Sequence, residues 1–171
     1  MTTSRALIAL GTSLTALVAG CSASAEQPGC GSAGCFTPEP GFRSGEQVMA
    51  DYLTEAEALA LPDGVIWPTA EDQFEFALDS DDRHQFSENY GASRAGEFWQ
   101  CAWMREAVQS RETDPERAEL ALDQLSGIKS TALWNSFDDG SRQFVEEELE
   151  AASGGDYSTL IQDLEANCEP S

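Results

Sequence analysis

The sequence predicts an all-α protein: a single bundle of six or seven helices, preceded by a signal peptide and a flexible linker. Apolar residues recur at helical spacing from residue 45 onward, and helix-capping patterns precede several of these stretches. No alternating, strand-like run is longer than four residues. The predicted boundaries are residues 1–20 for the signal peptide, 21–44 for the linker and 45–171 for the helical domain.

Composition limits the classes of function. The chain has 171 residues, of which 41% are hydrophobic, so it can bury a core. Its formal net charge of −22 repels phosphate backbones, which argues against nucleic-acid binding. The chain contains one histidine, His84, and this excludes any site that needs two imidazoles.

The N-terminus has the pattern of an export signal. Arg5 supplies a positive charge, and residues 6–19 form a weakly apolar run. As a helix, this run would span about 21 Å, which is shorter than the hydrocarbon core of a bilayer at about 30 Å. We therefore expect a signal segment here and not a membrane-spanning anchor.

The sequence Leu17-Val18-Ala19-Gly20-Cys21 ends this run with an aliphatic residue, two small residues and a cysteine. It resembles the lipobox of bacterial lipoproteins. The resemblance covers only about the first 21 residues, so it concerns location and not activity. It implies cleavage between Gly20 and Cys21 and attachment of diacylglycerol, with acyl chains such as palmitate, to the Cys21 thiol. Two acyl chains on one residue hold a protein stably at a membrane, so we expect a lipid-anchored protein on the extracytoplasmic face of the cell membrane.

The segment after Cys21 has the composition of a tether. Residues 22–44 are rich in Gly, Ser and Pro, and a flexible coil of this length spans about 25 Å. Cys30 and Cys35 lie within it and are predicted to form a disulfide, which is plausible outside the cytoplasm. Their spacing is a poor zinc signal, because no second Cys/His pair accompanies it.

Capping patterns place the helices of the domain. Ser44 to Gln47 forms a capping box, and Thr54 to Glu57 forms a second one, which suggests two short helices in this stretch. Thr69 is predicted to cap another short helix. Residues 94–110 are predicted to form the central helix, since residues 98–104 are apolar on almost every side. Asp114 and Pro115 form a strong helix start. Inward-facing stripes follow at Ala118, Ala121, Leu122 and Leu125, at Ile128, Ala132 and Trp134, at Phe144, Val145, Leu149 and Ala152, and at Tyr157, Leu160, Ile161 and Leu164.

Two further cysteines occur in predicted helices. Cys168 lies four residues after Leu164 and continues the inward face of the last helix, while Cys101 lies in the apolar central helix. With Cys21 acylated, four cysteines remain and allow three pairings. We expect Cys101 to pair with Cys168 inside the domain and Cys30 to pair with Cys35 in the tether.

Candidate binding residues are few, and no catalytic set is evident. Trp99 and Trp103 lie four residues apart on one side of the central helix, where they would line an apolar pocket or pack in the core. Asp79 to Asp82 offers oxygen ligands but departs from the EF-hand pattern, and we expect a solvated acidic loop. No cofactor or metal site is predicted, and the runs Asp138-Asp139 and Glu146 to Glu148 are expected to be solvated.

Three hypotheses about function follow. The first is a lipid-anchored, non-enzymatic helical binding or interaction protein, whose protein or small-molecule ligand the sequence does not identify. The second is a small cell-envelope hydrolase that uses carboxylates such as Glu97 or Glu106 beside the aromatic helix. Buried carboxylates with a raised pKa facing a cleft would favour it. The third is a divalent-cation-binding surface protein, suggested by charge alone.

Overall fold

The computed structural model describes residues 38–75 and 84–168, which lie in one compact unit from Phe36 to Ser171. These described residues contain seven α-helices, so the predicted all-α bundle is confirmed. None of these helices is long and apolar enough to cross a membrane. The helices are α1 (Gly45–Ala58), α2 (Ala70–Gln73), α3 (Tyr90–Ser110), α4 (Pro115–Ser126), α5 (Ala132–Ser136), α6 (Asp139–Ser153) and α7 (Ser158–Asn167).

Helix α1 begins as its sequence predicts but does not divide. The Ser44 side chain accepts from the Gln47 backbone N–H, and the Gln47 side chain accepts from the Ser44 N–H, so the capping box is confirmed. The predicted second box is wrong, because α1 continues through Thr54. The Thr54 hydroxyl donates to the Ala50 carbonyl at 2.8 Å, one turn earlier in the same helix, instead of capping a new one.

A short antiparallel pair of strands lies beside α1. Strands β1 (Phe42–Arg43) and β2 (Phe86–Ser87) place Phe42 opposite Ser87 and Arg43 opposite Phe86. Structure therefore begins before residue 45, within the range that the sequence assigned to the linker. Cys21, Cys30, Cys35 and the loop Asp79 to Asp82 lie outside the described residues.

Helix α3 is the centre of the bundle, and it contacts α1, α4, α5 and α7. It begins at Tyr90, one turn before the predicted residue 94. Two glycines allow close approach of its neighbours. A Cβ atom added at Gly91 would lie 2.0 Å from the Val48 carbonyl oxygen of α1, and one at Gly96 would lie 2.6 Å from the Leu133 Cβ of α5.

Two apolar clusters hold the bundle together. The first lies between α1 and α3 and includes Val48, Tyr52, Phe74 and Ala95. The second surrounds the other half of α3 and includes Trp103, Met104, Leu125, Ile128 and Leu160. Complete burial of one large aliphatic side chain stabilises the fold by about 2 kcal/mol, so these clusters dominate its stability.

The C-terminal helices form the last layer. The Asp114 cap and Pro115 start of α4 are confirmed, because the Asp114 carboxylate accepts from the Arg117 backbone N–H at 3.2 Å. The α6 stripe is correct at Val145 and Ala152, which are buried. It is wrong at Phe144, which is 45% exposed and lies toward the edge of the helix face.

Candidate functional site

A groove lies where α3, α6 and α7 meet. It has a volume of about 730 Å³, within the range of small-molecule sites. The groove is lined by four residues of α3, four of α6, the C-terminal part of α7, one residue of α5 and Phe137. We call it the α3/α6/α7 groove. Its lining residues are Glu97, Gln100, Cys101, Met104, Leu133, Phe137, Gly140, Ser141, Phe144, Val145, Asp163, Asn167 and Cys168.

The charged residues that line this groove are both acidic. Glu97 lies in α3 and forms an ion pair with Arg94, one turn earlier in the same helix. Asp163 lies in α7 and accepts a hydrogen bond from the Asn167 side-chain amide at 2.5 Å. Since an amide is neutral, this hydrogen bond leaves the negative charge of Asp163 in place. Among the described residues, the groove therefore combines apolar and polar side chains with one carboxylate that is ion-paired and one that is not.

A disulfide joins the two helices at the edge of the groove. Cys101 of α3 and Cys168 at the end of α7 are bonded, with their Cα atoms 5.6 Å apart, which is consistent with the predicted pair. Both residues are half-buried, so they are less enclosed than the sequence pattern implied. The bond fixes the C-terminal end of α7 against α3, and in this way it helps to hold the wall that carries Asp163.

Sequence analysis missed the buried carboxyl group of Glu148. Its side chain belongs to α6, is 2% exposed, and its Oε2 atom has no hydrogen-bond partner among the described residues. Burial in an apolar environment raises the pKa of Glu148 to about 7, and the nearby Asp163 carboxylate adds to this effect. The expectation that residues 146–148 are all solvated is therefore wrong at Glu148.

Of the two alternatives for Trp99 and Trp103, an apolar pocket or core packing, the structure shows core packing. Trp99 is 4% exposed and Trp103 is 6% exposed, so both rings belong to the core. Each indole Nε1–H donates to the Ala60 carbonyl oxygen at 2.9 Å. The Ala60 carbonyl oxygen thus satisfies both indole N–H groups, and it fixes the two rings against the segment that follows α1. Neither ring lines the α3/α6/α7 groove, and packing rather than ligand contact explains their spacing.

The carboxylates of the hydrolase hypothesis lie in ion pairs. Glu106 pairs with Arg117 of α4 and accepts from the Ser110 hydroxyl at 3.2 Å. Glu97, as described above, pairs with Arg94. Both glutamates also line a second groove of about 710 Å³ beside Val65 and Ile66. Each of these two carboxylates therefore already has an arginine partner within the protein.

Metal ligands are not clustered in the part of the chain that the structure describes. Within residues 38–75 and 84–168, no three His, Cys, Asp or Glu side chains are grouped so that they could hold an ion. The hypothesis of a divalent-cation site rested on charge alone, and the acidic loop Asp79 to Asp82 was expected to be solvated. That loop lies outside the described residues, so the hypothesis stays a prediction.

Comparisons of the chain with protein-family models, with curated proteins and with solved structures give no match. The features that bear on function are therefore the groove, the Asp163 carboxylate and the buried Glu148.

Proposed function

We propose that this chain is a lipid-anchored, extracytoplasmic binding protein whose ligand site is the α3/α6/α7 groove. The groove is the observation that carries the proposal. It has the volume of a small-molecule site, and its lining combines apolar side chains with the polar side chains of Glu97, Gln100, Ser141, Asp163 and Asn167. The anchor rests on the lipobox-like sequence that ends at Cys21.

Two structural features support this proposal. The Cys101–Cys168 disulfide suits an oxidising compartment, where a protein with an export signal would act. The ion pairs of Glu97 and Glu106 favour a binding role over the hydrolase hypothesis. Glu148 has the raised pKa of a general acid, but it is 2% exposed and does not line the groove, so it has no direct access to a substrate there.

The anchor is tested by metabolic labelling with a fatty acid. We expect the wild-type chain to incorporate label and Cys21→Ala to incorporate none. Cys30→Ala is the matched control, because it removes a nearby cysteine of the same segment and should keep the label. Equal labelling of wild type and Cys21→Ala would contradict lipid attachment at Cys21.

Ligand binding in the groove is tested with the neutral fluorophore N-phenyl-1-naphthylamine, whose emission rises in an apolar site. Phe144 lines the groove and is 45% exposed, so Phe144→Ala should weaken binding without unfolding the protein. Leu120 is 54% exposed on α4 and does not line the groove, so Leu120→Ala is the control. Equal binding by both variants, or no binding by wild type, would contradict a ligand site here.

A further inference from the structure

We propose that the α3/α6/α7 groove binds a small organic ammonium ion, with its charge against Asp163 and its apolar body against Phe137 and Phe144. This inference rests on the proposed function, because it names the ligand class of the same groove. Three sets of observations support it: the charges of the lining, the buried Glu148, and the apolar wall.

The charge of the groove lining favours a cation, and Asp163 is the carboxylate that is placed to pair with it. Glu97 and Asp163 are its charged residues, and none of the residues that line it is Lys, Arg or His. Glu97 already pairs with Arg94. Within the described part of the chain, no basic side chain forms an ion pair with Asp163. An ammonium ion in the groove would give Asp163 the cationic partner that the described residues do not supply.

A second acidic group, Glu148, is buried near Asp163, although it does not itself line the groove. It lies three residues after Val145, so the two side chains share the buried face of α6. Its buried Oε2 has no partner among the described residues, and the Asp163 carboxylate is near enough to raise its pKa. A cation at Asp163 would offset the repulsion between these two carboxyl groups. In an environment of low dielectric this gain is larger than it would be in water.

The apolar wall selects an organic cation over a bare metal ion. Phe144 is 45% exposed and Phe137 is half-buried, while Met104 and Leu133 form a buried floor. A hydrated inorganic ion would meet Asp163 but would leave these side chains uncovered. A ligand with an apolar body covers them, and aromatic faces also attract ammonium groups. The volume of about 730 Å³ fits a molecule of drug-like size.

The test uses the full chain and three probes of one shape, measured by isothermal titration calorimetry. The probes are 4-phenylbutylamine, which is a cation, 4-phenyl-1-butanol, which is neutral, and 4-phenylbutyrate, which is an anion. Asp163→Asn removes the proposed counter-ion. Glu165→Gln is the matched control, since it removes one negative charge from an exposed position of the same helix. Phe144→Ala removes part of the apolar wall.

We expect wild type to bind the amine about tenfold more tightly than the alcohol, as a charge-assisted hydrogen bond provides, and to bind the carboxylate least. Asp163→Asn should abolish this preference, and Glu165→Gln should keep it. Phe144→Ala should weaken the amine and the alcohol equally. The Asp163 variant loses a repulsion with Glu148, so we expect it to fold, and circular dichroism checks this.

Three results would overturn the inference. Equal affinity for amine and alcohol would show that charge does not select the ligand. If Glu165→Gln lost the preference for the amine as fully as Asp163→Asn does, the net charge of the protein, and not Asp163 in particular, would attract the amine. Binding of pentalysine without binding of the amine would assign the groove to a basic polypeptide. If the amine does not bind while N-phenyl-1-naphthylamine still binds, the proposed ammonium class is wrong and the groove remains a ligand site. If neither compound binds, both the ammonium class and the proposed ligand site are wrong.

Discussion

Replacing Glu148 with Gln will remove a pH-dependent loss of stability that the buried carboxyl group causes. In the unfolded chain this group has its ordinary pKa of 4.5, and in the folded protein its pKa is about 7. Between these values the folded state holds the proton more tightly than the unfolded state does. The free energy of unfolding therefore decreases as the pH rises through this window, and it is lowest above the folded pKa. Glutamine has a similar shape and does not titrate.

The difference between the two pKa values corresponds to about 3 kcal/mol of unfolding free energy, and most of it is lost between about pH 5 and about pH 8. The cause is burial first, because the side chain is 2% exposed, and the Asp163 carboxylate second. A loss of this size is large for a small domain, whose total stability is about 5 to 15 kcal/mol. We expect Glu148→Gln to become more stable, relative to wild type, by about this amount as the pH rises.

The assay is urea denaturation followed by circular dichroism at several pH values, with the full chain. The other acidic residues titrate in both proteins, so their contribution cancels in the difference between wild type and variant. Glu150→Gln is the control, since it removes a carboxyl group from an exposed position of the same helix. A difference between wild type and Glu148→Gln that does not change with pH would refute the reasoning, because it would mean that Glu148 keeps an ordinary pKa.

Three other predictions concern stability. Cys101→Ser will lower the melting temperature of the oxidised protein by several degrees, since a crosslink across 67 residues contributes about 4 kcal/mol; an unchanged melting temperature would contradict this. Gly91→Ala will destabilise the protein by about 1 to 3 kcal/mol, because its Cβ would lie 2.0 Å from the Val48 carbonyl oxygen, while Gly127→Ala meets nothing within 4 Å and should be nearly neutral in the same melts. The melting temperature will rise from about 10 mM to about 500 mM NaCl, because salt screens the repulsion expected at a net charge of −22. A larger rise with millimolar calcium than with sodium at equal ionic strength would favour a cation site at Asp79 to Asp82.

Helix starts were predictable because they depend on neighbouring residues. Ser44 with Gln47, Thr69 with Asp72, and Asp114 with Pro115 each satisfy backbone N–H groups within one turn, and each is present in the structure. Local patterns also mislead where a longer interaction competes with them. Thr54 to Glu57 has the sequence pattern of a capping box. Helix α1 nevertheless continues through this segment, because the buried face of the helix includes both Tyr52 and Ala56.

The location of the groove was not predictable, because it depends on how distant helices meet. The sequence shows that the face of α3 with Trp99 and Trp103 is apolar, but not that the Ala60 carbonyl will accept from both indoles and close that face. The groove forms instead on the side of α3 that carries Cys101 and Met104. Which side stays open is decided by the positions of α6 and α7, and no local pattern in α3 contains that information.

The position of Glu148 could have been found from the sequence. Val145, Glu148 and Ala152 are separated by three and four residues, so one face of α6 must include all three, and Val145 and Ala152 were already expected to be buried. The run Glu146 to Glu148 hid this, because its charge suggested a uniformly solvated surface. A protein does not bury a carboxyl group without cost, and an apolar residue at position 148 would avoid that cost. The proposed ammonium site gives a physical reason for a carboxyl group there, since Glu148, once ionised above its pKa of about 7, would strengthen the negative field in which Asp163 would hold a cation.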